Sequence, residues 1–122
     1  VLDKAFERIR RFHRELFTIR FGKNVVNLLC RDIVYLESNK RKVIVHTVRG
    51  EYEYYHKLDE AEEELLAISA DFVRIHKAYL VNMEHVEAFQ YEKLALRDGT
   101  ILSISEAHRA NVGSRFWEWG SE

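Results

Sequence analysis

The sequence predicts a mainly β fold built from short strands, with a helix at each end and a third, acidic helix inside the chain. Three observations predict it. Apolar residues make up 47% of the chain, and Val, Ile, Tyr and Phe, which suit a pleated, half-buried surface, are plentiful among them. The apolar runs are short and tend to alternate with polar residues, the period of a strand and not of a helix. Turn signals separate them, at Gly22-Lys23-Asn24, at Asn39 to Lys42, at Gly50 and at Asp98-Gly99. A length of 122 residues fits one domain with a modest core. The chain has no internal repeat, low-complexity tract or linker, and it contains no proline.

Leu2, Phe6, Ile9, Phe12 and Leu16 recur at helical spacing, so the first element is an amphipathic helix. Its outer face carries Lys4, Arg8, Arg10, Arg11 and Arg14. Residues 1–16 read as a linker helix from an upstream domain, either simply solvated or with a basic face that also meets phosphate. Val1 already lies inside the pattern, so a longer protein is expected. Residues 17–122 form the remaining domain.

Phe17 to Phe21 and Val25 to Leu29 read as a hairpin around Gly22-Lys23-Asn24. Cys30-Arg31-Asp32 interrupts the pattern before a strand at Ile33 to Glu37. Asn39 to Lys42 is a polar turn, Val43 to Val48 an alternating strand, and Gly50 leads into Glu51 to His56. Leu58 to Ile68 is a helix whose buried stripe is Leu58, Ala61, Leu65 and Ile68, with Glu60, Glu62, Glu63 and Glu64 facing water. Those acids crowd the half of the helix where its dipole favours negative charge.

From Asp71 to Asn82 the chain reads D-F-V-R-I-H-K-A-Y-L-V-N. Phe72, Arg74 and His76 alternate with Val73, Ile75 and Lys77, which predicts a strand with one greasy face and one cationic face. An apolar run from Ala78 to Val81 follows, and Asn82 can bond its own backbone at a bend. The result is a basic tip between two anchored runs. Val86 to Tyr91 and Lys93 to Leu96 are further strands, and Asp98-Gly99 turns the chain into the last one, Thr100 to Ile104. Ser105 then suits the N-cap of a C-terminal helix reaching about Trp119.

The formal charge is −1, but its distribution is uneven. Glu51 to Glu64 holds seven acids against Lys57 alone, whereas Asn39 to Arg49 holds four cations and no acid. Such a chain can present a basic face to a polyanion despite its near-zero sum. No apolar run approaches the roughly 20 residues of a membrane span, and no signal peptide is visible. The lone Cys30 cannot form an internal disulfide and suits a reducing cytoplasm. It reads as a small buried hydrophobe in preference to a redox centre.

Six histidines invite a metal reading, yet they lack the spacings that preorganise zinc. His46 and His56, facing each other across a hairpin at Gly50, make the one metal geometry worth naming; a tyrosine- and histidine-rich sheet edge is the plainer explanation. Phosphate loops, a nucleophile elbow and diagnostic carboxylate pairs are missing, so neither an enzyme nor a cofactor is expected. Direct readout of DNA needs donors on stiff segments. Asn39-Lys40-Arg41-Lys42 and His76-Lys77 are two such tips, and Ser105 to Arg109 is a third. The first could equally be a solvated hairpin turn, and His76 could equally be a structural imidazole. Tyr79 and Asn82 favour structural duty.

Three landmarks occur in order. Phe72, Arg74, His76, Lys77, Val81 and Asn82 form one; Ile33, Tyr35, Leu36, Glu37 and Ser38 another; Asp98, Gly99, Leu102, Ile104 and Ser105 the third. Together they resemble LytTR-type DNA-binding domains, the output modules of many bacterial response regulators. The resemblance implies several short antiparallel sheets packed together, with little helix, and a cytoplasmic transcription regulator without catalytic activity. It implies loops entering successive major grooves on one side of a bent duplex of promoter DNA, with two copies on direct repeats and an upstream receiver or sensor domain. Carried over by position, base contacts fall on Arg41, Lys42, Lys77 and Glu106. Phosphate contacts fall on Asn39, Lys40, Arg74, His76, Ser105 and Arg109. Glu106 stands where the family usually has a cation, and Ala78 where many members have serine. An acid can accept from a cytosine amine, so Glu106 implies either a different reading or a lost contact. The reading from a different class is a β-sheet protein–protein interaction module without DNA binding.

Overall fold

Strands this short cannot each bury a face alone, so they must stack. The computed structural model, which describes residues 15–120, shows how. β1 (Leu16–Phe21) and β2 (Asn24–Leu29) form a hairpin. β3 (Ile33–Asn39), β4 (Lys42–Thr47), β5 (Gly50–Tyr55), β6 (Phe72–His76) and β7 (Tyr79–Asn82) form a five-stranded sheet in the order β5-β4-β3-β7-β6. β8 (Val86–Phe89), β9 (Lys93–Leu96) and β10 (Ile101–Ser103) make a third sheet. Every pairing is antiparallel. Helix α1 (Leu58–Leu66) lies between β5 and β6, and α2 (Arg109–Gly120) follows a short 3-10 turn at Glu106–His108.

The central sheet is covered on both faces along β3, β7 and β6, whereas edge strand β5 exposes Glu51, Glu53 and Tyr55. Phe17, Ile19 and Leu28 of the hairpin and Leu58, Ala61 and Leu65 of α1 pack on one side of it, around Leu36, Val45, Phe72 and Leu80. On the other side Val73, Ile75 and Val81 meet Leu94, Leu96 and Leu102 of the third sheet and Val112 of α2. An extra residue in β3, between the pairs Ile33–Thr47 and Tyr35–His46, shifts the alternation. Ile33 and Leu36 therefore enter the first core, while Val34 enters the second.

Several expectations change at this level. The N-terminal helix falls on residues outside those described, and Leu16, the last member of its stripe, instead opens β1 opposite Leu29. β6 does not have one greasy and one cationic face, because both faces are covered: Phe72 enters the first core, Val73 and Ile75 the second. α1 ends at Leu66, with Ile68 only partly buried beyond it. Ser105 stands before the 3-10 turn, but its side chain makes no cap hydrogen bond. His46 and His56 do not face each other: His46 pairs with Glu51, and the His56 amide donates to the Arg41 carbonyl. The tight turns follow their residues, with Gly22 at φ 64° and Gly99 at φ 96°, conformations that a side chain disfavours. The Asp98 carboxylate accepts from the Thr100 amide at 2.9 Å, a bond that lowers its pKa.

Cys30 is buried, and desolvation pushes its thiol up to about 12, so it behaves as a hydrophobe. Asn82, only 1% exposed, ties β7 to the turn before β3. Its amide donates to the carbonyls of Cys30 and Ile33 at 3.1 and 2.9 Å, and its oxygen accepts from the Glu84 amide at 3.0 Å. Asn82→Ala would leave three backbone groups without these partners. It is expected to lower the unfolding free energy by about 3 kcal/mol in urea titration, whereas Glu87→Ala on exposed β8 surface should change it by less than about 0.5 kcal/mol.

Candidate nucleic-acid interface

Three connections meet at one end of the central sheet. The β3–β4 turn carries Lys40 and Arg41, the β6–β7 turn carries Lys77 and Ala78, and the segment after β10 carries Ser105 to His108. Backbone bonds hold them side by side. The Ser38 amide donates to the Ala78 carbonyl, and the Ser105 amide to the Ile75 carbonyl, each at 2.9 Å. The Lys77 tip therefore sits in the middle, with Arg41 on one flank and Glu106 on the other.

Each tip is stiffened differently. Lys40 adopts φ 59°, the left-handed conformation, in the two-residue turn closed by the Asn39–Lys42 pair. That conformation is strained for a side chain, and it leaves Lys40 and Arg41 exposed. Lys42 is drawn back instead: its ammonium meets Glu53 at 2.8 Å and lies 4.9 Å from the centre of the Tyr55 ring. At the middle tip the Ala78 amide donates to His76 Nδ1 at 3.1 Å, and the imidazole lies against Tyr79. In the third, Ser105 Oγ and His108 Nδ1 share a 2.6 Å hydrogen bond. Arg109 stacks over the Tyr91 ring while its Nε donates to the Ile104 carbonyl at 3.3 Å.

Arg74, expected at a phosphate, is largely covered and tied to neighbours. Its side chain is 10% exposed, and four of its N–H groups are engaged. They donate to Asp59 and Glu62 of α1 at 2.7 and 2.9 Å, and to the carbonyls of His76 and Lys77 at 2.7 and 2.5 Å. Glu62, expected to face water, is thus partly covered by an ion pair. An open depression of about 780 Å³ joins the first two tips, lined by Lys40, Arg41, Lys57, Arg74 and Lys77, with Asp59 and Glu60 at the start of α1. Neither Lys57 nor the pairing of Asp59 with Arg74 was legible beforehand. The one sequence signal was the spacing of Asp59 and Glu62, which puts both on the same side of a helix.

His46 and His56 are absorbed by neighbours. His46 stacks on Tyr35 and contacts Glu37 and Glu51 through opposite ring nitrogens, at 2.9 and 3.2 Å. His56 stacks on Tyr54 and contacts Glu64 and Glu60 in the same divided way. One ion cannot use both nitrogens of a ring, and no cluster fit for a metal occurs among the described residues.

Residues 23–117 match the model of the LytTR family, described as the LytTr DNA-binding domain. The chain belongs to the LytTR family. That family is one of DNA-binding domains, not a catalytic one. A solved structure described as the LytTr DNA-binding domain of a methyl-accepting/DNA response regulator from Bacillus cereus shares the fold, with a TM-score of 0.70 and 19% identity. The likeness covers 84% of this chain and 96% of that one. No curated protein sequence matches. Among the described residues of this LytTR domain, no helix is long and apolar enough to cross a membrane. Asn39 and Glu106 are exposed at the LytTR tips, and Ser105 and Arg109 are half-buried beside them.

Two outcomes test this geometry. Lys40→Gly removes the strained side chain from its turn and is expected to raise the unfolding free energy by about 0.5–1 kcal/mol in chemical denaturation. Burial, then Lys77, His108 and Arg74, lower the His76 pKa from its ordinary 6.5. The unfolded chain takes that proton at higher pH than the folded one, so the contribution to stability is intact above 6.5 and lost as pH falls below it. Between about pH 7.5 and pH 5.5 the melting temperature of His76→Asn should therefore fall less than that of the unmodified protein.

Proposed function

We propose that this LytTR domain binds double-stranded promoter DNA sequence-specifically, in the cytoplasm, as the output domain of a response regulator in a two-component phosphorelay. The observation that carries the reading is the alignment of three turns at one end of a sheet, with Arg41, Lys77 and Glu106 exposed at their tips. A stiff sheet holds donors at fixed separation, which direct readout of bases requires. Arg41 and Lys77 border one depression, so a single duplex can meet both. In this reading the turns enter the major groove, Arg41 and Lys77 contact bases, and Glu106 accepts from a base amine. Asn39, Lys40, Ser105 and Arg109 flank them at phosphates. Lys42, neutralised by Glu53, and Arg74, paired with Asp59 and Glu62, move to supporting roles. Two copies on direct repeats, and an upstream receiver or sensor domain joined through residues 1–16, complete the proposed arrangement.

Selection of bound duplexes from a random pool at physiological salt would define the operator and its spacing. Against that duplex, Arg41→Ala and Lys77→Ala should each lower affinity roughly 5- to 100-fold and relax sequence preference at one position. Their unfolding midpoints should stay unchanged, because both side chains are exposed. Lys40→Ala should weaken all duplexes alike and reduce the salt slope by about one. Unaltered retention by both Arg41→Ala and Lys77→Ala would exclude the DNA reading.

A further inference from the structure

The middle tip has an unusual turn. Lys77 and Ala78 alone connect the paired residues His76 and Tyr79, yet neither has a positive φ. Two-residue hairpin turns prefer positive φ because that twist matches the flanking strands. With ordinary φ the strands tend to splay, and other bonds must hold the turn. An extra residue, Ile75, sits in β6 between the pairs Arg74–Leu80 and His76–Tyr79 and loosens the ladder where the tip begins.

Arg74 supplies the missing bonds. Nε and Nη2 donate to the His76 and Lys77 carbonyls at 2.7 and 2.5 Å, gripping the turn from beneath. Nη1 donates to Asp59 and Glu62, which anchor the guanidinium to α1. Arginine has five N–H donors, so one is left, and gripping a phosphate firmly would mean releasing the turn or the helix. The planar fork matters here: a lysine ammonium carries the same charge but cannot span two carbonyls and two carboxylates at once.

We infer that Arg74 is a positioning residue of DNA recognition, and that Asp59 and Glu62 promote sequence-specific binding by holding Arg74 under the Lys77 tip. This inference rests on the DNA-binding reading above. It runs against simple electrostatics, since acids beside a polyanion repel it and their removal ordinarily strengthens binding to every sequence. Here removal frees Arg74 from α1, loosens the tip and costs discrimination.

The test uses Arg74→Lys and the double variant Asp59→Ala/Glu62→Ala. Asp59 is 85% and Glu62 27% exposed at the side chain, so the double variant leaves the core untouched. Two readouts are needed. Hydrogen exchange of the Lys77 and Ala78 amides in the free protein should quicken in both variants. Affinity for the duplex selected by the unmodified chain, relative to a scrambled duplex, should fall about tenfold, the worth of one base contact. The salt slope should not change, because no phosphate contact is lost. A slope reduced by about one in the charge-removing variant Arg74→Gln, with tip exchange unaltered, would make Arg74 a phosphate ligand and overturn the inference. So would an unchanged discrimination ratio, or tighter binding of both duplexes, in the double variant. If the unmodified chain selects no duplex, the DNA reading fails, and unaltered tip exchange would separately remove the latch.

Discussion

The central sheet is buried on both faces along β3, β7 and β6, and that constraint shapes the rest of the molecule. The hairpin and α1 cover one side, the third sheet and α2 the other. Polar groups on the covered strands are favoured when paired or at strand ends, although the buried Tyr54 hydroxyl of β5 has no hydrogen-bond partner among the described residues. Asn82 shows the first solution, with its amide and carbonyl oxygen all bonded to backbone. Lys40, Arg41 and Lys77 show the second, exposed in turns where the strands stop.

Stiffness at those turns comes from different sources. Lys40 accepts a left-handed backbone, a strain that the paired strands on either side impose. The Lys77 turn keeps ordinary dihedrals and is held by side chains, through His76 below the Ala78 amide and Arg74 below two carbonyls. The third tip begins at the Ser105–His108 bond, and its amide is stitched to β6 at Ile75. A reader of DNA needs this fixity, because a contact discriminates between bases only if its donor cannot follow the wrong one.

α2 contributes anchoring. Val112 is fully buried, the Trp119 indole donates to Asp71 at 3.1 Å, and Arg115 donates to the Ala70 and Phe72 carbonyls. The helix thereby fixes the start of β6, while Arg74 fixes its end. The acids of α1 likewise have more than one role: some meet water, Glu60 and Glu64 meet His56, and Asp59 and Glu62 meet Arg74.

Local chemistry determined much on its own. Alternation and turn residues placed the strands, the stripe Leu58, Ala61 and Leu65 placed α1, and the three landmark motifs pointed to the LytTR family. Asn82 was legible as a residue bonded at its own bend. What the tertiary structure alone decided is non-local. Strand order set Ser38 beside Ala78 and Ile75 beside Ser105, which is what gathers the three tips. It also took Arg74 and Lys42 away from the surface role their charge suggested, by bringing Asp59, Glu62 and Glu53 to them. A strand's period states which residues share a face, and not what covers that face. Inserted residues at Val34 and Ile75 break even that period. The partners of a cation 12 to 15 residues away are therefore fixed only when the layers close.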